Sequence, residues 1–222
     1  MRKLLLLVAI LIIPASSLLA QDEPWRNRPG RYGRTTADNF FELTPFLGYR
    51  YGGTIFADQS KLFRQDVNVE SSANFGANFA IPIANGWKVE LLVDRQNTHF
   101  TNGAGGLFAP SDRLGGFAIT YFQGGLVIPF AISRSATPYF SVGAGVANLD
   151  PRVSGASSDT RFAANASIGV KVPINRNLGI KLEERGYFTS LSNYGNNCRS
   201  CYYNYNHDLY QGETNFGVFF RF

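Results

Sequence analysis

One feature constrains this sequence more than any other, namely the apolar residues that recur at every second position in run after run from Phe40 onward. In the final run, Phe216, Val218, Phe220 and Phe222 share one parity. A period of two is the signal of a β-strand with one apolar face and one polar face. In water, a terminal strand of this kind would expose both its apolar face and an unpaired edge. The sequence therefore predicts an all-β fold in which this face is covered.

Eight such runs can be delimited, and the connections between them alternate in length. The runs cover residues 41–53, 66–82, 87–97, 115–130, 137–148, 160–173, 178–190 and 209–222. The short connections are 83–86, 131–136 and 174–177, and the long polar ones are 54–65, 98–114, 149–159 and 191–208. Short turns at one end and long loops at the other are typical of bacterial outer-membrane barrels. The pattern predicts an eight-stranded antiparallel up-and-down transmembrane β-barrel.

The composition and the ends of the runs indicate that the apolar face meets lipid. The mean hydropathy of -0.10 argues against helical membrane spans. Most runs reach roughly the 9 to 11 residues that a tilted membrane strand needs. Aromatic residues near run ends fit the girdles at the two membrane interfaces, and these residues are Phe41, Tyr49, Tyr51, Trp87, Phe162, Phe188 and Phe222. A soluble lipocalin-like carrier remains the alternative fold.

The opposite parity carries charges of both signs, which the barrel would enclose. An eight-stranded barrel is only wide enough for side chains to fill, and isolated charges in its lumen would be costly. We therefore expect a mutually neutralised network of ion pairs rather than a wide pore. The predicted members are Glu42, Arg50, Glu70, Lys88, Glu90, Asp94, Lys171, Lys181, Glu183, Arg185, Glu213 and Arg221.

The fourth run is ambiguous, because both of its parities are apolar. The prediction turns one set outward, towards lipid, and the other set inward. The outward set is Phe117, Ile119, Tyr121 and Val127, and the inward set is Phe122, Leu126 and Ile128.

Three single residues do not fit the alternation. Glu184 falls on the lipid-facing parity between Leu182 and Gly186, where a carboxylate destabilises a barrel. Either a local bulge turns Glu184 inward or it contacts a partner. Arg95 falls on the same parity near the outer end of the third run, where a lipopolysaccharide phosphate would neutralise it. Phe219 falls on the inward parity, which predicts packing near the periplasmic end or a local irregularity.

The N-terminus has the pattern of an export signal followed by a polar leader. Arg2 and Lys3 precede ten apolar residues, 4–13, which are too few to span a bilayer as a helix. Without Arg2 and Lys3 the formal charge falls from +5 to 19 − 16 = +3, which is only weak evidence for a nucleic-acid partner, and export argues against one. The predicted division is a signal peptide at residues 1–20, a flexible periplasmic leader at 21–39 and an outer-membrane β-barrel at 40–222.

Few residues point to chemistry. Cys198 and Cys201 lie in an exported loop, where a disulfide persists, and they form a candidate loop disulfide. A redox or metal role is the alternative, with His207 as the nearest further ligand. His99 and His207 are the candidate bases of a lipid-modifying barrel enzyme, although no catalytic spacing accompanies them. We expect no catalytic residue, no cofactor and no metal, and a protein that is not an enzyme.

Several segments resemble members of the OmpA-like outer-membrane β-barrel superfamily. They are FELTPFLGYRYGG in the first run, TPYFSVGAGVANL in the fifth, RFAANASIGVKVPI in the sixth and the closing strand that ends on Phe222. The resemblance implies insertion by the barrel-assembly machinery, which in that superfamily reads a terminal strand with an aromatic end. Here the implied assembly signal is Phe216, Val218, Phe220 and Phe222.

The expected function is a structural or surface-interaction role in the outer membrane of a Gram-negative envelope, exercised through the extracellular loops. Residues 191–208 are the best interaction loop, because Tyr194, Tyr202, Tyr203 and Tyr205 offer aromatic anchors. A merely solvated loop is the alternative. The expected partners are outer-membrane lipid and lipopolysaccharide, the assembly machinery and a surface ligand. A narrow pore and a lipid-modifying enzyme are the alternative functions.

Overall fold

Strands make up most of the chain that the computed structural model describes, which is residues 40–55, 67–83, 85–102, 112–130, 136–152, 157–191 and 208–222. The strands are β1 (Glu42–Tyr51), β2 (Thr54–Ile55), β3 (Val67–Val69), β4 (Ser72–Pro82), β5 (Lys88–Asn102), β6 (Asp112–Pro129), β7 (Thr137–Arg152), β8 (Asp159–Pro173), β9 (Leu178–Thr189) and β10 (Leu209–Arg221). No helix among the described residues is long and apolar enough to cross a membrane. The predicted signal peptide and leader lie outside these residues.

The long strands close on themselves. Antiparallel pairing follows the order β5, β4, β1, β10, β9, β8, β7 and β6. β6 in turn pairs with β5, which closes the ring. At the closure, β1 pairs with β10 from Glu42 opposite Arg221 to Tyr51 opposite Gly212. Within the described chain the result is an eight-stranded barrel, which confirms the predicted fold class. Closure gives hydrogen-bond partners to backbone groups that an open edge would leave unpaired. The short β2 and β3 extend the wall, with β3 paired to the end of β5.

The two faces of the wall differ as the alternation predicts. On β1, Leu47 is 69% exposed on the outside, whereas Glu42 and Arg50 on the opposite parity are fully buried in the lumen. On β10, Phe216 faces outward and Glu213 lies inside. An apolar exterior around a polar interior is the reverse of a water-soluble domain and suits a wall that meets lipid.

Tight turns close one end of the barrel, which we call the turn end. Between β4 and β5, Asn85 and Gly86 adopt positive φ values of 57° and 79°, a conformation that favours these two residue types. Between β8 and β9, the Asn175 side chain accepts hydrogen bonds from the backbone N–H groups of Asn177 and Leu178 at 2.9 and 2.8 Å. The opposite end, from which the long connections leave, is the loop end.

β6 has the opposite orientation to the one predicted. Ile119 and Tyr121 are fully buried in the lumen, and Phe117 and Val127 are nearly so, whereas Phe122 is 49% exposed on the outside. The prediction was wrong because both parities of this run are apolar, so alternation alone does not decide between them. The register of β6 between β5 and β7 does decide.

The inward face of β6 belongs to an apolar cluster that lies mostly in the loop-end half of the lumen. The rings of Phe100 and Phe117 stack there with centroids 4.3 Å apart. Other members are Phe46, Val69, Leu92, Ile119, Tyr121, Ala147, Leu149, Ala163, Tyr187, Leu191 and Leu209. The lumen is therefore filled by hydrocarbon as well as by charged groups.

The second predicted run consists of two strands. Val69, at the end of β3, is buried in the lumen, and Glu70 and Ser71 separate it from β4. The Glu70 backbone N–H donates to the His99 carbonyl oxygen at 2.9 Å. Because this interruption changes the parity, Val69 faces inward, and Glu70, which the prediction places in the lumen, does not join the inward row of β4.

Candidate functional site

Among the described residues, the charged side chains inside the lumen form three groups at successive levels, which we call tiers. The loop-end tier is Arg50, Asp94 and Glu213, the middle tier is Glu90, Lys181, Glu183 and Arg185, and the turn-end tier is Glu42, Lys88, Lys171 and Arg221. These are the predicted lumen residues apart from Glu70. Their side chains are almost wholly shielded from solvent, with Arg221 the most exposed at 14%.

Arg50 organises the loop-end tier. Its Nε donates to Glu213 Oε2 at 2.7 Å, and its Nη2 pairs with Asp94. The guanidinium carbon lies 4.8 and 4.7 Å from the ring centroids of Tyr121 and Tyr187, within the range of a cation–π contact. Tyr187 also donates its hydroxyl to Asp94 Oδ2 at 2.8 Å. Arg50 and Glu213 are direct cross-strand partners, so this tier also ties β1 to β10 at the closure.

The middle tier contains two cations and two carboxylates. Arg185 Nη2 lies 2.8 Å from Glu90 Oε1 and 2.9 Å from Glu183 Oε1. Lys181 Nζ lies 3.1 Å from Glu183 Oε2 and 3.4 Å from Glu90 Oε2. The hydroxyl of Tyr139 donates to Glu183 at 2.7 Å. Each carboxylate therefore meets both cations, as a buried charge requires.

Glu42 is the centre of the turn-end tier. Its Oε1 lies 2.9 Å from Lys88 Nζ and 2.9 Å from Arg221 Nε, and its Oε2 pairs with Lys171. The Arg221 guanidinium carbon lies 4.7 Å from the ring centroid of Phe219.

Phe219 packs inside the barrel near the turn end, the first of the two placements that the sequence allows. Its ring is fully buried and lies over Gly179 of β9, where any Cβ atom would collide with it. The β9–β10 register continues past this pair. Phe219 therefore fits the inward row because its neighbour has no side chain.

Glu70 lies near the loop end, outside the three tiers. Its Oε1 is 2.9 Å from Arg113 Nη2, and its Oε2 is 3.3 Å from His99 Nδ1. The Glu70 side chain is 28% exposed. The sequence groups this residue with the lumen charges, and the break between β3 and β4 is the reason that it lies elsewhere. Cys198, Cys201 and His207 fall outside the described residues.

Glu184 stays on the outer face. The register of β9 is uninterrupted on both sides, so no bulge turns the carboxylate inward. Glu184 accepts hydrogen bonds from the Tyr51 hydroxyl and, at 2.6 Å, from Thr214 Oγ1. The Tyr51 ring crosses β10 above Gly212, where a Cβ atom would contact the ring. This external clasp links β1, β10 and β9 across the closure.

The proposed assembly residues Phe216, Val218, Phe220 and Phe222 lie on the outward parity of β10. The Phe222 ring stacks on Phe41 with centroids 6.2 Å apart. The backbones of Phe41 and Phe222 exchange two hydrogen bonds of 3.1 and 3.2 Å. The last residue is thus paired to the start of β1 rather than left as a free end.

Sequence reasoning missed the lumen tyrosines. Tyr187 shares the inward parity of β9 with Arg185, and Tyr139 occupies the inward parity of β7. Their parity alone was sufficient to place them inside. Their role was not visible, because the partners Asp94 and Glu183 are distant in sequence. Among the described residues, no group of three or more His, Cys, Asp or Glu side chains is arranged to hold a metal ion.

Comparison with known proteins agrees with this architecture. The family described as "Outer membrane protein beta-barrel domain" matches residues 5–222. No curated protein matches the chain. Neisserial surface protein A (NspA), which has a crystal structure, is 12% identical in sequence to this chain and has a TM-score of 0.52. The alignment covers 83% of this chain and 97% of that chain. The outer membrane protein OprG from Pseudomonas aeruginosa is 14% identical and has a TM-score of 0.52. The alignment covers 84% of this chain and 97% of OprG. At these identities the likeness concerns the fold.

The outer membrane protease OmpT from Escherichia coli is a more distant match. It is 10% identical, with a TM-score of 0.40 over 84% of this chain and 98% of that one. This structural similarity is too low to indicate that the two proteins share an activity.

Proposed function

Because the chain belongs to the outer membrane protein β-barrel domain family, we propose that it is a closed structural barrel of the cell outer membrane that acts through its outer surface and not through its lumen. The location in the outer membrane follows from the family. In such barrels the short turns are periplasmic and the longer loops extracellular, so the loop end faces outward. Outer-membrane lipid, the assembly machinery and a surface ligand are the proposed partners.

The observation that supports a closed lumen is a set of contacts between opposite walls. β5 and β9 stand four strands apart in either direction around the ring. Nevertheless, Glu90 and Arg185 meet at 2.8 Å, and Asp94 and Tyr187 meet at 2.8 Å. Side chains therefore bridge the full width of the barrel at two levels. A water-filled channel would leave such groups accessible, yet Arg50 and Arg185 are among the most buried side chains of the described chain.

Planar-bilayer recording tests the closed lumen. The purified barrel should show no steady conductance above the leak of the membrane. The variant Glu90→Ala/Arg185→Ala removes the bridge between opposite walls and should conduct in small steps. Glu70→Ala, which removes a carboxylate near the loop end, is the control and should remain silent. Steady channel steps from the unaltered protein would favour the narrow-pore alternative.

The proposed surface role depends on the connection between β9 and β10. Tyr194, Tyr202, Tyr203 and Tyr205 of residues 191–208 would supply its aromatic anchors. Labelling intact cells with a membrane-impermeant maleimide after mild reduction tests its exposure, because Cys198 and Cys201 are the only cysteines of the chain. We expect labelling in intact cells. Labelling that requires a permeabilised outer membrane would contradict the proposed orientation.

We propose no catalytic role for His99. Its Nδ1 faces Glu70 at 3.3 Å, and that carboxylate is also held by Arg113 at 2.9 Å. In the part of the chain described by the structure, no hydrogen bond joins His99 to a serine. Hydrolysis of phospholipid vesicles by the purified barrel, lost in His99→Ala, would contradict this proposal and favour the enzyme alternative.

A further inference from the structure

The apolar exterior ends abruptly on one side of the barrel. Across β5 to β8, one row of cross-strand partners consists of Val93, Phe122, Val146 and Phe162. These side chains are 41 to 56% exposed on the outside. The next outward row towards the loop end consists of Arg95, Thr120, Asn148 and Thr160. A single step along each strand thus changes the outer wall from apolar to polar, which marks the upper limit of the hydrocarbon zone.

The strands on this side are long enough to continue beyond that limit. β5, β6, β7 and β8 contain 15, 18, 16 and 15 residues. A tilted membrane strand needs roughly 9 to 11 residues. The polar row therefore lies where lipid headgroups begin, and the strand ends above it project from the membrane.

Arg95 lies in the polar row next to the apolar one, and Arg152, further along β7 towards the loop end, reaches the same neighbour on β5. Arg95 Nε and Arg152 Nη2 lie 3.3 and 3.5 Å from the same acceptor, Asn97 Oδ1. Arg95 Nη1 also donates to Thr120 Oγ1 at 3.3 Å. The aliphatic part of Arg152 lies across Gly116, where an added Cβ atom would be 3.4 Å from the Arg152 Cβ. Because Gly116 of β6 has no side chain, the Arg152 side chain extends from β7 across β6 towards β5.

Neither guanidinium is neutralised within the described chain. The contacts of Arg95 and Arg152 there are with the neutral groups of Asn97 and Thr120. A guanidinium has five N–H donors in a planar fork, so both arginines keep donors for a further acceptor. Asp150 shares the outward parity of β7 with Arg152 but forms no ion pair with it. Two adjacent cations with spare donors form a receptor for an anion with several oxygens.

We propose that Arg95 and Arg152 bind the phosphate group of an anionic lipid in the outer leaflet. The position at the edge of the apolar band, together with the charge of the pair, favours a lipid headgroup over a soluble anion. The acyl chains of such a lipid would lie along the exposed row of Val93 and Phe122, while its phosphate reaches the arginines. The inference rests on the proposed orientation, with the loop end outward.

The test uses the purified full chain in detergent, with bisphosphorylated lipid A and dephosphorylated lipid A as probes, and measures bound lipid by native mass spectrometry. The phosphorylated probe should bind more tightly. Arg95→Gln and Arg152→Gln should each weaken it by about tenfold, the typical effect of losing hydrogen bonds to a charged group. The dephosphorylated probe should be unaffected. Asp150→Asn should preserve or strengthen binding, because it removes a neighbouring negative charge.

Arg161→Gln is the matched control, since it removes the same charge at the loop end from a residue that is paired with Asp159 at 2.5 Å. It should bind the phosphorylated probe as the unaltered protein does. Each variant is first checked for a heat-dependent shift in gel mobility, and lysine replaces glutamine at any of the three positions where the glutamine variant fails to fold. Equal binding of the two probes, or equal losses in Arg161→Gln and Arg95→Gln, would overturn the proposal. A reversed orientation would change cysteine labelling in cells but not this affinity, so the two failures are distinguishable.

Discussion

Replacing Arg50 by methionine should cost the barrel far more stability than losing a surface charge. The guanidinium is fully buried and pairs with both Asp94 and Glu213. Methionine retains much of the aliphatic chain but leaves the two carboxylates together without their shared cation. Breaking a buried ion pair on one side costs about 3–5 kcal/mol. The lost contact with the rings of Tyr121 and Tyr187, at 4.8 and 4.7 Å, should add roughly 1 kcal/mol.

Reversible unfolding in urea, in the presence of lipid vesicles and followed by the gel shift of the folded barrel, would measure this free energy. Arg113→Met is the matched control, because the Arg113 side chain of its ion pair with Glu70 is exposed and such surface pairs contribute little to stability. A second arm removes the stranded charges. Arg50→Met/Asp94→Asn/Glu213→Gln should recover part of the loss, because uncompensated buried charge is the cause. An Arg50→Met cost equal to that of Arg113→Met, or a triple variant less stable than the single one, would refute the reasoning.

Three further changes test the closure and the terminal strand. Tyr51→Phe removes a hydrogen-bond donor to Glu184 and should lower the free energy of unfolding by about 1–3 kcal/mol in the same assay. Tyr51→Phe/Glu184→Gln should lower it less, because the carboxylate is no longer charged. Equal losses in the two variants would show that the charge of Glu184 is irrelevant. Gly179→Val places a side chain where the Phe219 ring lies and should sharply lower the folded yield, which the Gly179→Val/Phe219→Ala variant should partly restore. Phe222→Ser should reduce assembly in cells but leave refolding into vesicles nearly intact; equal effects in both settings would argue against an assembly signal.

The eight strands of the barrel and the inward position of its charged residues other than Glu70 were predictable from the sequence, because both follow from alternation along single strands. Glu42 and Arg50 on β1, and Glu213 on β10, show the clear alternation that makes this possible. β6 lacked it, since both of its faces are apolar, and its orientation is fixed only by pairing with β5 and β7. Glu70 was misplaced because a two-residue interruption between β3 and β4 is invisible in a run of alternating residues.

Which charges meet inside the barrel was not predictable, because it depends on how the strands are staggered around the ring. Glu90 and Arg185 are separated by 95 residues, yet they form a direct bridge. The parity of each residue identifies it as a lumen group, but only the register of every intervening pair of strands brings the two to the same level. The same argument applies to Arg95 and Arg152. Alternation marks Arg95 as outward, Arg152 falls in the predicted connection 149–159, and only the sheet brings the two together.

Because the strands differ in length, the barrel wall is taller on one side than on the other. β1 has 10 residues, whereas β7, the strand opposite to it in the ring, has 16, and β6 beside β7 has 18. The external clasp of Tyr51 and Glu184 therefore lies on the lower side, beside the closure, and the pair of Arg95 and Arg152 lies on the higher side. A lipid phosphate held by the arginines would anchor the higher wall, whereas the long connection between β9 and β10 leaves from the side of the closure. Lipid binding and surface interaction would thus use different sectors of one rim, so Arg95→Gln should not alter maleimide labelling of the 191–208 loop.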